Sequence, residues 1–190
     1  VDANAMEAIA ADLSAENIPH RVERCDVTST DSLQGLLDAS LEAFSQVDLV
    51  FANAGIGAGE AGPIWGFSEK DWQWCFNVNL WGAVNSINVF MPYLITRTDR
   101  THMIITGSGN GAYTVLPDVP IYTATKAAVH TITENLHFDV ARAADKLLHV
   151  DARLAEVRHA QVLHLLIGRS QDARLFAHAH ADAAAAGDAL

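Results

Sequence analysis

Ser108-Gly-Asn-Gly111, a loop carrying Pro117 and Pro120, and then Tyr122-Thr-Ala-Thr-Lys126 form the stretch around which the rest of the chain reads. A tyrosine and a lysine four residues apart lie on one face of a helix, so the ammonium can sit beside the phenol. A free phenol titrates at about pH 10 and exchanges its proton poorly at neutral pH. A neighbouring positive charge favours the phenolate and moves such a group toward the range where a general acid or base works. Spacing alone equally fits a solvated helical turn with a core-facing ring. What lies upstream separates the two.

Three runs precede the pair. Asn53-Ala-Gly55 follows directly on the apolar run Val47 to Ala52, Asn77-Val-Asn79-Leu-Trp-Gly82 comes next, and Ser108-x-x-Gly111 follows the strand-like Met103-Ile-Ile-Thr106. In that order and at those separations they resemble the N-A-G, N-x-N-x-x-G, S-x-x-G and Y-x-x-x-K signatures of the short-chain dehydrogenase/reductase family. The likeness covers about residues 1 to 150. It implies an α/β fold, a Rossmann-like doubly wound parallel sheet, and reversible hydride transfer between NAD or NADP and a small alcohol or ketone.

The resemblance also implies roles. Tyr122 would pass the proton, and Lys126 would depress its pKa and hold the nicotinamide ribose. Ser108 would polarise the carbonyl, because a hydroxyl there can donate to the oxygen on which charge grows. Asn79 would kink its helix and anchor a water linking the lysine to solvent. Asn53, Ala54 and Gly55 would line the cofactor at the carboxyl edge of the sheet, where doubly wound folds bind ligands. Asp26 and Val27 would touch the adenine. Each has a plainer alternative: turn formation for Asn53, Gly55 and Ser108, strand-end capping for Asp26, a solvent-facing position for Asn79. Fourteen residues separate Ser108 from Tyr122, one more than the family's usual spacing, so a bulge is expected between Pro117 and Pro120.

Composition narrows the partners. With 190 residues, 20.4 kDa and half the residues hydrophobic, the chain suits one globular domain. A net charge of −11 with no basic cluster argues against nucleic acid and anionic membranes. No apolar run approaches the ~20 residues that span a bilayer, and the start lacks the layout of a signal peptide. Two cysteines, Cys25 and Cys75, make neither a disulfide framework nor a metal site, so a reduced, cytoplasmic compartment is expected. His159, His164, His178 and His180 lack carboxylate or thiolate partners at ligand spacing, and no metal is expected. The tryptophans suit core or subunit contacts, and a homo-oligomer, dimer or tetramer, follows from the family.

Taken in order, the chain starts in a helix, with Met6, Ile9, Ala10 and Leu13 at helical spacing. In the family a first strand and a turn of the form T-G-x-x-x-G-x-G come before this point, and no such turn occurs in these residues. Asp2 stands where an acidic residue takes the ribose hydroxyls of NAD and repels the extra phosphate of NADP; a solvated terminal aspartate is the alternative. A short strand is expected over His20 to Cys25, a capping box at Thr28-x-x-Asp31, and another at Ser68-x-x-Asp71 opening a helix to about Tyr93. A helix is expected from Tyr122 to about Ala144, then a strand at Leu147 to Val150. Beyond it the family pattern stops. Residues 151 to 190 carry Ala, Leu, Arg and Glu and read as a divergent, helix-prone segment of the same domain, attributable to an altered C-terminus. A competing expectation is a catalytically inactive fragment serving as an interaction or oligomerisation module.

Overall fold

A computed structural model describes residues 3–57, 61–144, 150–157 and 160–167, the last two ranges as backbone. Helix α1 spans Ala3–Ala15 and buries none of its residues, Ile9 included. Helix α2, Thr30–Phe44, starts at an N-cap Ser29, whose hydroxyl accepts from the Ser32 N–H, and it buries Leu33 and Leu37. The cap therefore sits one residue beyond the expected Thr28. The hydroxyl of Thr28 is spent on Asp26, to which it donates at 2.8 Å.

Strand β1, Leu49–Ala52, is followed by a single turn at Ile64–Gly66 and by α3, Glu69–Phe76. The expected box at Ser68 and Asp71 forms in both directions, side chain to backbone each way. The helix then widens into one π-helical turn over Asn77–Trp81, in which the Gly82 N–H donates to Asn77 O, before resuming as α4, Gly82–Leu94. Strand β2, Thr101–Thr106, a short distorted turn α5, Gly109–Ala112, and the long α6, Pro120–Ala144, complete the part that carries the motifs.

β1 and β2 are parallel, with Leu49 opposite His102 and Ala52 opposite Ile105. Met103, Ile104 and Ile105 are all buried, as expected of a strand covered on both faces. Val50, Phe90, Leu94, Met103 and Val129 belong to one core that joins the sheet to α2, α4 and α6. The two motif-bearing strand ends, Ala52 and Thr106, thus finish side by side at one edge of a rigid layer.

Two expectations fail. No strand forms over His20 to Cys25. A strand exists only where a neighbour completes its ladder, and none of the described strands pairs with this segment. The helix-prone reading of residues 151 to 190 fails over the described part. Residues Val150–Val157 and Ala160–Ile167 are strands β3 and β4, paired antiparallel with each other, and β4 pairs antiparallel with β2. The sheet order is β1-β2-β4-β3, so it is mixed and not parallel throughout. Helix propensity lost here to the open ladder edge of β2, since tertiary pairing outweighs a few tenths of a kcal/mol per residue. Of the strand expected over Leu147 to Val150, only Val150 lies among the described residues.

Candidate functional site

The π-helical turn explains how Asn79 is used. The extra residue turns its side chain inward, where it is 2 % exposed. Its Oδ1 accepts from the Ile56 N–H at 2.7 Å, and its Nδ2 donates to Ile56 O at 2.9 Å, to Thr125 Oγ1 at 3.2 Å and toward Cys75 Sγ at 3.2 Å. Asn79 therefore fastens the segment after Asn53-Ala-Gly55 to α6. Gly82 closes the same turn on the other side: a Cβ there would lie 2.7 Å from a methyl of Val27. The Asn85 amide donates to Val27 O at 3.0 Å.

Lys126 lies on α6 with its side chain almost wholly buried, 4 % exposed. Its Nζ donates to Thr106 O, the last carbonyl of β2, at 2.9 Å. Burial pushes its pKa below the usual lysine value. Among the described residues no carboxylate pairs with it. Tyr122 stands one turn earlier, half-buried, with its ring centre 5.8 Å from Nζ. The tyrosine and lysine thus do face each other, and among the described residues no hydrogen bond occupies the Tyr122 hydroxyl. Thr125 supports the turn between them, donating to Tyr122 O at 2.7 Å.

Ser108 caps α5, its oxygen accepting from the Asn110 N–H at 3.2 Å, which leaves the hydroxyl proton free to donate elsewhere. Its loop is pressed onto α6. Gly111 has φ of +95°, and a Cβ there would lie 2.6 Å from Thr123 O and 2.7 Å from Ala127 N. Asn110, buried, accepts through Oδ1 from the Leu116 N–H at 3.1 Å and from the Thr123 hydroxyl at 3.0 Å. The expected bulge between Pro117 and Pro120 takes the form of a left-handed Asp118, φ +63°.

A cavity of about 310 Å³ opens beside these groups. Its lining includes Val27, Asn53, Ala54, Asn79, Gly82 and Thr106. Ser108, Tyr122 and Lys126 lie outside that lining, and Asn79 and Thr106 are the bridge, each lining the cavity and bonded to α6. Asn53 Oδ1 accepts from the Thr106 hydroxyl at 2.7 Å, tying the two strand ends together. Gly55 lies close to both Asn79 Oδ1 and Lys126 Nζ. Asp26 is exposed, and its carboxylate accepts from the Thr28 N–H at 2.9 Å and the Thr28 hydroxyl. Those two bonds hold its pKa below the ordinary aspartate value. It shapes the turn that delivers Val27. Asp2 lies outside the described residues.

Sequence reasoning did not single out Asn110, Thr106 or Thr125. A polar residue flanked by glycines after a buried strand was the one available sign of Asn110; Thr125 was visible only as a small hydroxyl inside the Tyr-to-Lys turn. Among the described residues no three metal-binding side chains converge, and no helix is long and apolar enough to cross a membrane.

Residues 1–150 match the family model described as short chain dehydrogenase. An uncharacterized oxidoreductase of Staphylococcus epidermidis is 27 % identical over 140 residues, 74 % of this chain and 59 % of the relative. The CLA biosynthesis dehydrogenase/reductase of Lactiplantibacillus plantarum is 33 % identical over 119 residues, 62 % of this chain and 40 % of that protein. A crystal structure of a short chain dehydrogenase/reductase from Burkholderia phymatum in complex with NAD superposes with a TM-score of 0.72 and 36 % identity, over 75 % of this chain and 50 % of that one. The chain thus spans about half the length of the proteins it matches.

Proposed function

The chain belongs to the short chain dehydrogenase family, and on that premise we propose that it serves reversible hydride transfer between a nicotinamide cofactor, NAD or NADP, and an alcohol or ketone. Tyr122 is the general acid and base. Lys126, one turn on, stabilises negative charge on the phenolic oxygen and holds the nicotinamide ribose. Ser108 donates to the substrate oxygen as charge grows on it. Asn79 fixes the strand-end segment and anchors the water through which the proton leaves.

The observation that carries this proposal is the buried ammonium. A lysine out of water without a carboxylate costs stability, and burial with a lowered pKa beside a titratable partner marks working sites more often than scaffolding. The cavity runs along β1 from Leu49 to Ala52 and reaches Asn53, Ala54, Asn79 and Thr106 at the carboxyl edge of the sheet, the end at which a cofactor's nicotinamide would lie. Ala54 lines that end, and Val27 and Asn53 line its apolar and polar sides. The nicotinamide supplies or accepts the hydride. Asp2 favours NAD, and the B. phymatum relative holds NAD in its crystal. A cytoplasmic site of action and a homo-oligomer belong to the same proposal, and sedimentation of the purified chain tests the latter.

Tyr122→Phe keeps the ring and removes the hydroxyl. It should abolish nicotinamide-linked turnover in a chain that still folds, and retained turnover would falsify the assignment. A second possibility, an inactive interaction module, draws on exposed Trp74, Trp81 and Phe138. NADH titration separates them: saturable binding supports the enzyme, and none by a folded oligomer supports the module.

A further inference from the structure

Thr106 ends β2, and Asn53 follows the last residue of β1, so the two stand side by side at the carboxyl end of the parallel ladder. Both line the cavity. Thr106 makes two bonds there to two different groups. Its backbone O accepts from Lys126 Nζ at 2.9 Å, and its hydroxyl donates to Asn53 Oδ1 at 2.7 Å. The ladder from Leu49 to Ala52 and the core around Val50 and Met103 already join the two strands, and Asn53 is exposed, so the second bond adds little to their pairing. What it decides is the orientation of an amide.

A carboxamide has an acceptor end and a donor end, and a hydroxyl has a single proton to give. With Oδ1 taking that proton, Asn53 Nδ2 is turned away from Thr106 with both of its hydrogens. A flipped amide would confront the hydroxyl with a donor, and no other described group accepts the Thr106 proton. The other side-chain hydroxyl and amide donors that line the cavity are spent within the protein. Ser40 donates to Leu36 O, Asn79 to Ile56 O and Thr125 Oγ1, and Ser86 to Gly82 O. Among the described residues nothing accepts from Asn53 Nδ2, which leaves it as the amide donor that a ligand in this cavity can use.

We propose that Thr106 is a positioning residue for the nicotinamide cofactor: its hydroxyl holds the Asn53 amide with Nδ2 free for the cavity, so that this edge takes an acceptor oxygen of the cofactor. The inference deepens the hydride-transfer proposal and rests on it. Because the carbonyl of the same residue holds Lys126, one strand end sets both the amide and the ammonium. Removing the hydroxyl releases the first and leaves the second in place.

Fluorescence titration of the full chain with NADH tests this without requiring turnover. Thr106→Val keeps the carbonyl and the β-branched shape and removes only the donor; it should weaken NADH at least fivefold with an unchanged circular dichroism spectrum. Thr106→Ser restores the donor and should bind within twofold of wild type. In an Asn53→Ala chain, already weakened, Thr106→Val should change the affinity less than twofold, because the hydroxyl acts through the amide; a merely structural hydroxyl would have the same effect in both backgrounds. Thr131→Val, which removes a hydroxyl spent on Ala127 O in the exposed part of α6, is the control and should match wild type. Should Thr106→Val fail to fold, Thr106→Ala carries the same expectations. NADH affinity unchanged in the hydroxyl-free chain, failure of Thr106→Ser to restore it, or equal losses with and without Asn53 overturns the inference and leaves the hydride-transfer proposal standing. A wild-type chain that binds no NADH defeats that proposal and this inference with it, so the two failures are distinguishable.

Discussion

Gly111→Ala isolates the contact that seats the Ser108 turn on α6. At φ +95° a residue with a Cβ is strained by about 1–2 kcal/mol. The new methyl would also stand 2.6 Å from Thr123 O and 2.7 Å from Ala127 N. Both are backbone atoms of one helix, so neither can rotate aside, and the turn must lift away. Overpacking of this kind costs about 1–3 kcal/mol. Together the effects come to about 3 kcal/mol, which for a chain of this size lowers Tm by roughly 6–12 °C. Gly109→Ala is the matched control two residues earlier: a Cβ there meets nothing within 4 Å and its φ is not positive. It should stay within about 0.5 kcal/mol of wild type. Thermal melts followed by circular dichroism compare the two directly. If Gly111→Ala melts with Gly109→Ala, the turn is not pressed on the helix as described, and the seating of the Ser108 turn on α6 loses its support.

Gly82→Ala should cost about 1–3 kcal/mol because its methyl meets Val27 at 2.7 Å, and Val27→Ala in the same chain should recover most of that loss; a double-mutant cycle in urea with no coupling would refute the contact. Asn79→Ala removes the partners of both Ile56 backbone groups, and unpaired groups of that sort cost about 1–3 kcal/mol each. Urea midpoints measure it, and a loss under 1 kcal/mol would contradict the network. The Asp71 carboxylate accepts from Ser68, which lowers its pKa below the usual 3.8. Its contribution is present above the unfolded value and lost as pH falls through the lowered one, so the stability gap between wild type and Asp71→Asn should be open at neutral pH and close in acid. Lys126 gives a slope of the same sign at the alkaline end of the scale. Its folded pKa lies below the usual 10.5, so the unfolded chain binds the proton more tightly and stability rises with pH between the two values. Relative to Lys126→Met, wild type should gain stability from its folded pKa up toward that of a free lysine, and a flat difference curve would show that the ammonium is not buried.

Sequence legibility followed locality. The box at Ser68 and Asp71 needs only residues three apart, and the sequence showed it. The run Met103 to Thr106 announced a covered strand because burial on both faces leaves no polar alternation. The cap of α2 was misplaced by one residue because Thr28, Ser29 and Asp31 all qualify locally; the choice fell to Asp26, whose carboxylate claims Thr28. The π-helical turn left no periodic trace, since one added residue within a helix looks like ordinary drift in spacing. The segment at His20 to Cys25 and the strands β3 and β4 depended on which edges were available to pair, a long-range fact that neither propensity nor pattern contains. Asn110 was hidden for a related reason: its partners, Leu116 and Thr123, are six and thirteen residues away, and only the folded turn brings them to one amide.

The motif spacings that were legible have a common physical origin in close approach. Gly82 ends the N-x-N-x-x-G run because Val27 fills the place where its Cβ would stand, and Gly111 ends the S-x-x-G run because α6 does. In each case the polar residue three positions earlier, Asn79 or Ser108, sits where the backbone has been drawn tight against a neighbouring element. The glycine therefore fixes the distance and the polar residue uses it. Gly35, Gly57 and Gly109, outside those pairings, have open space where a Cβ would go. A larger residue at Gly82 or Gly111 would displace Asn79 or Ser108 from α6 before it unfolded the chain. Loss of alignment with Tyr122 and Lys126 should then precede loss of fold as the substituted residue grows from alanine to valine.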